Sequence, residues 1–123
     1  VSDETCEVVF VYGTLRRGGS NHWRMSQAKF MGDAFARGRL YRIDWYPGFV
    51  ADKNAGQVKG EVFMADAVTI RHLDAFEGSE YRRVKIAVGS ADGGSIDEAW
   101  IWEWMGEVDE TRRIASGDWL SVS

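Results

Sequence analysis

Apolar positions along this chain alternate more often than they recur at helical spacing. Residues 7–12 (EVVFVY) form an apolar run with Val and aromatics, the signature of a strand buried on both faces. Residues 35–43 are strand-like around Gly38, and Pro47-Gly48 then marks a turn. The segment 56–65 (GQVKGEVFMA) alternates, with Val58, Gly60, Val62 and Met64 on one face. DAVTIRHLDAFEG, residues 66–78, is the clearest helix; Asp66 can cap its start and Gly78 can end it. A shorter helix is predicted over 20–28, with Ser20 or Asn21 as N-cap. Two alternating runs, YRRVKIAVGS and EAWIWEW, flank the turn ADGGSID and should pair as a hairpin. Val84, Ile86 and Val88 then face inward, and Trp100, Trp102 and Trp104 share a face. The tail ETRRIASGDWL reads as one helical turn and a capping segment. Strands outnumber helices and mostly follow one another, so the expected fold is α+β around a small curled sheet or barrel.

Composition narrows the setting. At 123 residues the chain fits a single domain, 1–123, with core enough to fold without disulfides or metal. A net charge of −4 with interspersed signs argues against nucleic acid as a partner. No apolar run approaches the ~20 residues that span a bilayer, and no leader is expected from the opening residues. The lone Cys6 suits a reducing cytoplasm. Six tryptophans in so short a chain call for a large aromatic core, a ligand cleft, or both. Nothing in the pattern specifies an oligomer.

The stretch VFVYGTLRRGGSNHW carries the first candidate chemistry. Its GxxxxGGS misses the phosphate loop GxxxxGK[ST] by one residue: Gly19 stands where the lysine would reach the terminal phosphates. Two readings remain. One is a plain turn from strand to helix. The other is a cradle of main-chain N–H groups for a different anion, such as a carboxylate, with Gly13 allowing close approach.

A second candidate is Glu77. Ile70, Leu73 and Glu77 fall on one helical face, so the carboxylate points where the apolar residues point. Burial and the helix's negative end would both raise its pKa, as a general base requires. Alternatively Glu77 turns to solvent or pairs with Arg82 or Arg83. His22 and His72 lack metal-ligand spacing, and His72 reads as a structural residue flanking the core stripe. Ser20 and Thr14 show no positioned base. Arg16 and Arg17 read as a solvated pair or as aids to an anionic ligand. The Trp100/Trp102/Trp104 stripe fits a stacking surface or, more often for such a pattern, barrel core.

Taken together, VYGTLRRGGSNH, LDAFEGSEYRRV and the closing SGDW resemble the γ-glutamylcyclotransferase-like superfamily, especially its small bacterial YtfP-like and BtrG-like members. The resemblance runs from Val8 to Leu120. It implies a small mixed β-barrel with flanking helices and a cavity under the Y-G-x-L loop, here Tyr12, Gly13, Thr14 and Leu15. In such proteins the loop holds a γ-glutamyl group through its main chain. The proton-transferring glutamate of the family's LDxxEG falls on Glu77, and Tyr81 would line the same cavity. Glu80 is the reserve candidate for the base, because some small relatives keep a glutamate just before the tyrosine.

The implied reaction is ring closure of a small γ-glutamyl substrate to 5-oxoproline with release of an amine or amino acid, needing neither metal nor organic cofactor. The competing expectation is a non-catalytic module binding a small carboxylate or amine in the same cavity. Relatives often carry tyrosines where this chain has Trp102 and Trp104, which bears on recognition of the leaving group.

Overall fold

The alternation resolves, in a computed structural model, into a barrel. The structure describes residues 6–91 and 95–122, so the centre of the turn expected at 91–97 lies outside the described residues. The strands are β1 (Glu7–Val11), β2 (Lys29–Arg42), β3 (Pro47–Ala51), β4 (Gln57–Ala65), β5 (Tyr81–Ser90) and β6 (Ser95–Trp104). Helix α1 (Ala67–Glu77) follows β4, and a short α2 (Trp119–Val122) lies near the end of the chain. The strand order is β3-β2-β4-β1-β6-β5, and β2 also pairs with β5. That last pairing, Ala34 with Ser90 and Phe35 with Gly89, closes five strands into a mixed barrel with β3 appended to β2.

β1 is the central strand. It runs antiparallel to β4, with Val11 opposite Glu61, and parallel to β6 through Val9 and Trp100. Phe10 points into the barrel with Leu40, Phe49, Val62 and Ile101. Val9 and Val11 point outward into a second core with Phe63, Ile70, Leu73 and Trp102, under α1. Burial on both faces is what its apolar run requires.

α1 begins and ends as its sequence directs. Asp66 Oδ1 accepts the Thr69 N–H at 2.8 Å, and Gly78 leaves the helix at φ +84°. The β5–β6 hairpin forms, with Val84, Ile86 and Val88 against the barrel interior.

Several expectations are corrected. The helix over 20–28 is a single 3-10 turn, His22–Met25, with Asn21 at its N-cap and no side-chain cap bond. The strand expected at 35–43 runs over Lys29–Arg42, through Gly38 without a break. Gly38 is there because a Cβ would lie 2.5 Å from the Phe49 ring. Pro47-Gly48 opens β3; the turn precedes it, where Ile43 N and Asp44 N both bond Tyr46 O. β4 buries both faces: Val58 and Val62 enter the barrel, Phe63 and Ala65 lie under α1, and Met64 is only half-buried. The tryptophan stripe is not barrel core. Ala99 and Ile101 take the inward positions of β6, which leaves Trp102 on the outer face beneath α1. His72 is exposed, on the solvent side of α1.

Candidate functional site

β1 ends in a loop that folds on itself and leaves its first N–H groups without partners. Arg16 N bonds Gly13 O at 3.1 Å, Gly19 N bonds Arg16 O at 2.7 Å, and Asn21 N bonds Thr14 O at 2.9 Å. Gly19 is needed for this fold-back, since a Cβ would lie 2.3 Å from Thr14 O. Among the described residues, the N–H groups of Gly13, Thr14 and Leu15 have no hydrogen-bond partner. All three residues line a cavity of about 200 Å³ at the end of β1. Unpaired N–H groups in a concave site favour an anion. Packing also demands a glycine at 13: a Cβ there would meet the Pro47 ring at 2.6 Å.

What holds the loop was not read from the sequence. Arg16 is no solvated side chain; it is 4% exposed, and its Nη1 lies 2.8 Å from Asp118 Oδ1 in the SGDW tail. Arg16 Nε is 3.6 Å from Glu61 Oε2 on β4, and Glu61 is 2% exposed. Glu61 Oε1 also accepts the Arg17 N–H at 2.9 Å. Two carboxylates from distant segments thus fix the loop through one buried guanidinium. The available signal was an acid inside the apolar alternation of β4.

Glu77 closes α1 and lines the same cavity, with Phe76 beside it. The alternatives for it are decided by its neighbours. Arg83 Nε donates to Asp74 Oδ1 at 2.9 Å and Arg82 reaches Glu103, so neither pairs with Glu77. The carboxyl accepts no hydrogen bond from any described residue and is half-buried. Burial, and then the Asp74 charge one turn earlier, push its pKa from the ordinary 4.5 up to about 7. Asp74 is itself held, since Oδ1 accepts from Trp102 Nε1 at 2.8 Å as well as from Arg83.

The tyrosines have their hydroxyls engaged. Tyr12 OH donates to Trp102 O at 2.7 Å and accepts from Phe49 N at 3.2 Å. Tyr81 OH donates to Pro47 O at 2.6 Å. Burial, with the nearby Glu77 carboxylate contributing, raises both hydroxyl pKa values well above the usual range. Both residues line the cavity and, with their hydroxyls engaged, they shape it; the carboxyls of Glu77 and Glu80 have no hydrogen-bond partner among the described residues.

Glu80 sits past Gly78, exposed, at the rim. Trp45 and Tyr46 from the β2–β3 loop complete the mouth, and Trp102 lines the interior; the sequence pattern had not singled out Trp45 or Tyr46. Trp104 stays outside, its indole N–H on Glu107 O at 3.0 Å. His22 Nδ1 lies 2.9 Å from Leu15 O, bracing the loop, and Thr14 Oγ1 accepts from Asn21 Nδ2 at 3.2 Å.

The chain and its fold have counterparts. A γ-glutamylcyclotransferase family protein, YtfP, of Escherichia coli K12 is 38% identical over 116 residues, covering 91% of this chain and 95% of that protein. The crystal structure of protein PH0828 from Pyrococcus horikoshii superposes with a TM-score of 0.76 at 33% identity, over 94% of this chain and 92% of that one. The mouse AIG2-like protein superposes with a TM-score of 0.75 at 26% identity, over 85% of this chain and 81% of that one. The family model described as gamma-glutamyl cyclotransferase, AIG2-like, matches residues 9–121. The chain therefore belongs to the γ-glutamylcyclotransferase (AIG2-like) family.

Proposed function

We propose that the protein converts a γ-glutamyl substrate to 5-oxoproline and a free amine, with Glu77 as the proton-transfer group. The observation that carries this reading is a half-buried carboxyl poised near neutrality, without a partner among the described residues, in one small cavity also lined by Gly13, Thr14 and Leu15, whose N–H groups have no described partner. Those N–H groups suit the α-carboxylate of the head group or the oxyanion that forms on the γ-carbonyl. Glu77 takes a proton from the α-ammonium, and the freed nitrogen attacks the γ-carbonyl carbon. The amide C–N bond then breaks. The ring nitrogen gives up two protons in all, and both end on the departing nitrogen, which leaves as an ammonium. The nucleophile belongs to the substrate, so the protein's task is to fold the chain and move protons. Glu80, exposed at the rim, is worse placed for this task than Glu77.

The test is 5-oxoproline release from γ-glutamyl dipeptides and γ-glutamylamines by wild type and Glu77→Gln. Release that the substitution abolishes in a folded protein supports the assignment. Release that survives moves the base away from Glu77. No release from any substrate, with binding retained, favours a non-catalytic binding module instead.

A further inference from the structure

We propose that the mouth of this cavity selects a leaving amine carrying a second ammonium group at its far end, held by Glu80 and the aromatic rings beside it; this rests on the γ-glutamyl reading above. Among the described residues, the cavity lining contains two charged side chains, Glu77 and Glu80, and no Lys, Arg or His. Glu77 belongs to the head group, which leaves Glu80 to meet whatever the γ-glutamyl unit carries. The rim around Glu80 is aromatic. Trp45, 58% exposed, meets Tyr46 edge-on at 5.0 Å, and Tyr46 lies 6.4 Å from Tyr81 between ring centroids. Ring faces with one carboxylate are the chemistry that recognises an ammonium ion. Glu80 acts electrostatically on Tyr46 and Tyr81, and Asp44 adds negative potential beside Tyr46.

Among the described residues, no cation lines the cavity to meet a carboxylate on the tail. Arg82 and Arg83 face Glu103 and Asp74. The guanidinium of Arg24 lies 4.1 Å from the Phe76 ring centroid and 4.3 Å from that of Trp23, with Asn21 Oδ1 at 3.3 Å, and Arg24 does not line the cavity. An alkyl tail could use the rings but not Glu80. An amino-acid leaving group would place its carboxylate against the same negative rim. Glu80 thereby acquires a role distinct from proton transfer.

The experiment compares three γ-glutamyl conjugates of matched length: one with a four-carbon diamine, one with a five-carbon alkylamine, and one with a four-carbon ω-amino acid. Binding to Glu77→Gln, which on the reading above would hold substrate without turning it over, is measured by calorimetry at low and high salt, then repeated with Glu80→Gln added. Wild-type turnover is followed in parallel. At a solvent-exposed rim the diamine conjugate should bind about three- to tenfold tighter than the alkyl conjugate, with the amino-acid conjugate weakest. That preference should shrink at high salt and collapse with Glu80→Gln. Equal affinities, tightest binding of the amino-acid conjugate, or a preference that persists without the Glu80 carboxylate would each overturn the proposal. Turnover by wild type without tail preference overturns this inference alone. Neither binding nor turnover of any conjugate removes the γ-glutamyl reading and this inference with it.

Discussion

Glu77→Gln should stabilise the protein, and the gain should depend on pH in a way no structural glutamate would produce. Burial and the Asp74 charge raise the Glu77 carboxyl from 4.5 to about 7 in the folded state. Between those values the native protein holds a proton that the unfolded chain has released. Wild-type stability attributable to this group therefore falls as pH rises from 4.5 through about 7, and levels off above. At about 1.4 kcal/mol per unit, the full displacement costs about 3 kcal/mol once the group is ionised. Gln has nearly the same shape and no charge to desolvate. Urea unfolding of both proteins from about pH 5 to about pH 8.5 isolates this group, because every other titration is common to the pair. The stability difference should move in favour of Gln by about 2–3 kcal/mol across that range, or on the order of 10 °C in Tm. A difference that stays flat would refute the reasoning, since it would mean that Glu77 titrates as an ordinary solvated acid. A difference that moves toward wild type would show a hydrogen-bonded carboxylate instead.

Two further outcomes follow from the neighbours of the site. Asp74→Asn keeps an acceptor for Trp102 Nε1 and Arg83 while removing a charge that raises Glu77. The acidic limb of the pH–rate profile should therefore move down, by less than half of the Glu77 displacement because burial is the larger cause; an unmoved limb would mean that Asp74 does not act on the base. Arg16→Met leaves Glu61, 2% exposed, without its buried cation, and should cost about 3–5 kcal/mol in urea unfolding. Adding Glu61→Gln should recover part of that loss, and a single-variant loss under about 1 kcal/mol would mean the ion pairs do not hold the loop.

Periodicity made the elements legible where one signal dominated. Asp66, Gly78 and the stripe of Ile70 and Leu73 defined α1 to within a residue. The alternation of Val84, Ile86 and Val88 found the β5 face. It failed where two cores share one strand. β4 buries Val62 in the barrel and Phe63 under α1, so its pattern of alternation names no single inward face. The same two-sided burial misplaced the tryptophans. Trp102 is 3% exposed yet lies outside the barrel, because α1 covers that side of β6. β3 was invisible for another reason: a proline-glycine pair reads as a turn, while here Pro47 starts an appended strand and its ring fills the space above Gly13.

The site divides into groups that are left unpaired and groups that keep them so. Glu77 could be singled out because it carries its charge on an apolar face, and the loop after β1 because its glycines follow a strand; the family resemblance narrowed that loop to residues 12–15. Their supports could not, because each joins segments far apart in the chain: Arg16 to Asp118, Arg17 N to Glu61, Trp102 to Asp74. Those contacts explain how the free groups persist. A loop with unsatisfied N–H groups would relax to satisfy them unless something outside the cavity fixed it. The buried Arg16 with its two carboxylates does that for the cradle. The doubly held Asp74 does it for the last turn of α1, and its charge adds to the effect of burial on the carboxyl one turn later. Under the proposed reading, preorganisation rests on Arg16 and Asp74, neither of which lines the cavity, so substitutions at either should alter function without removing any group from the cavity itself.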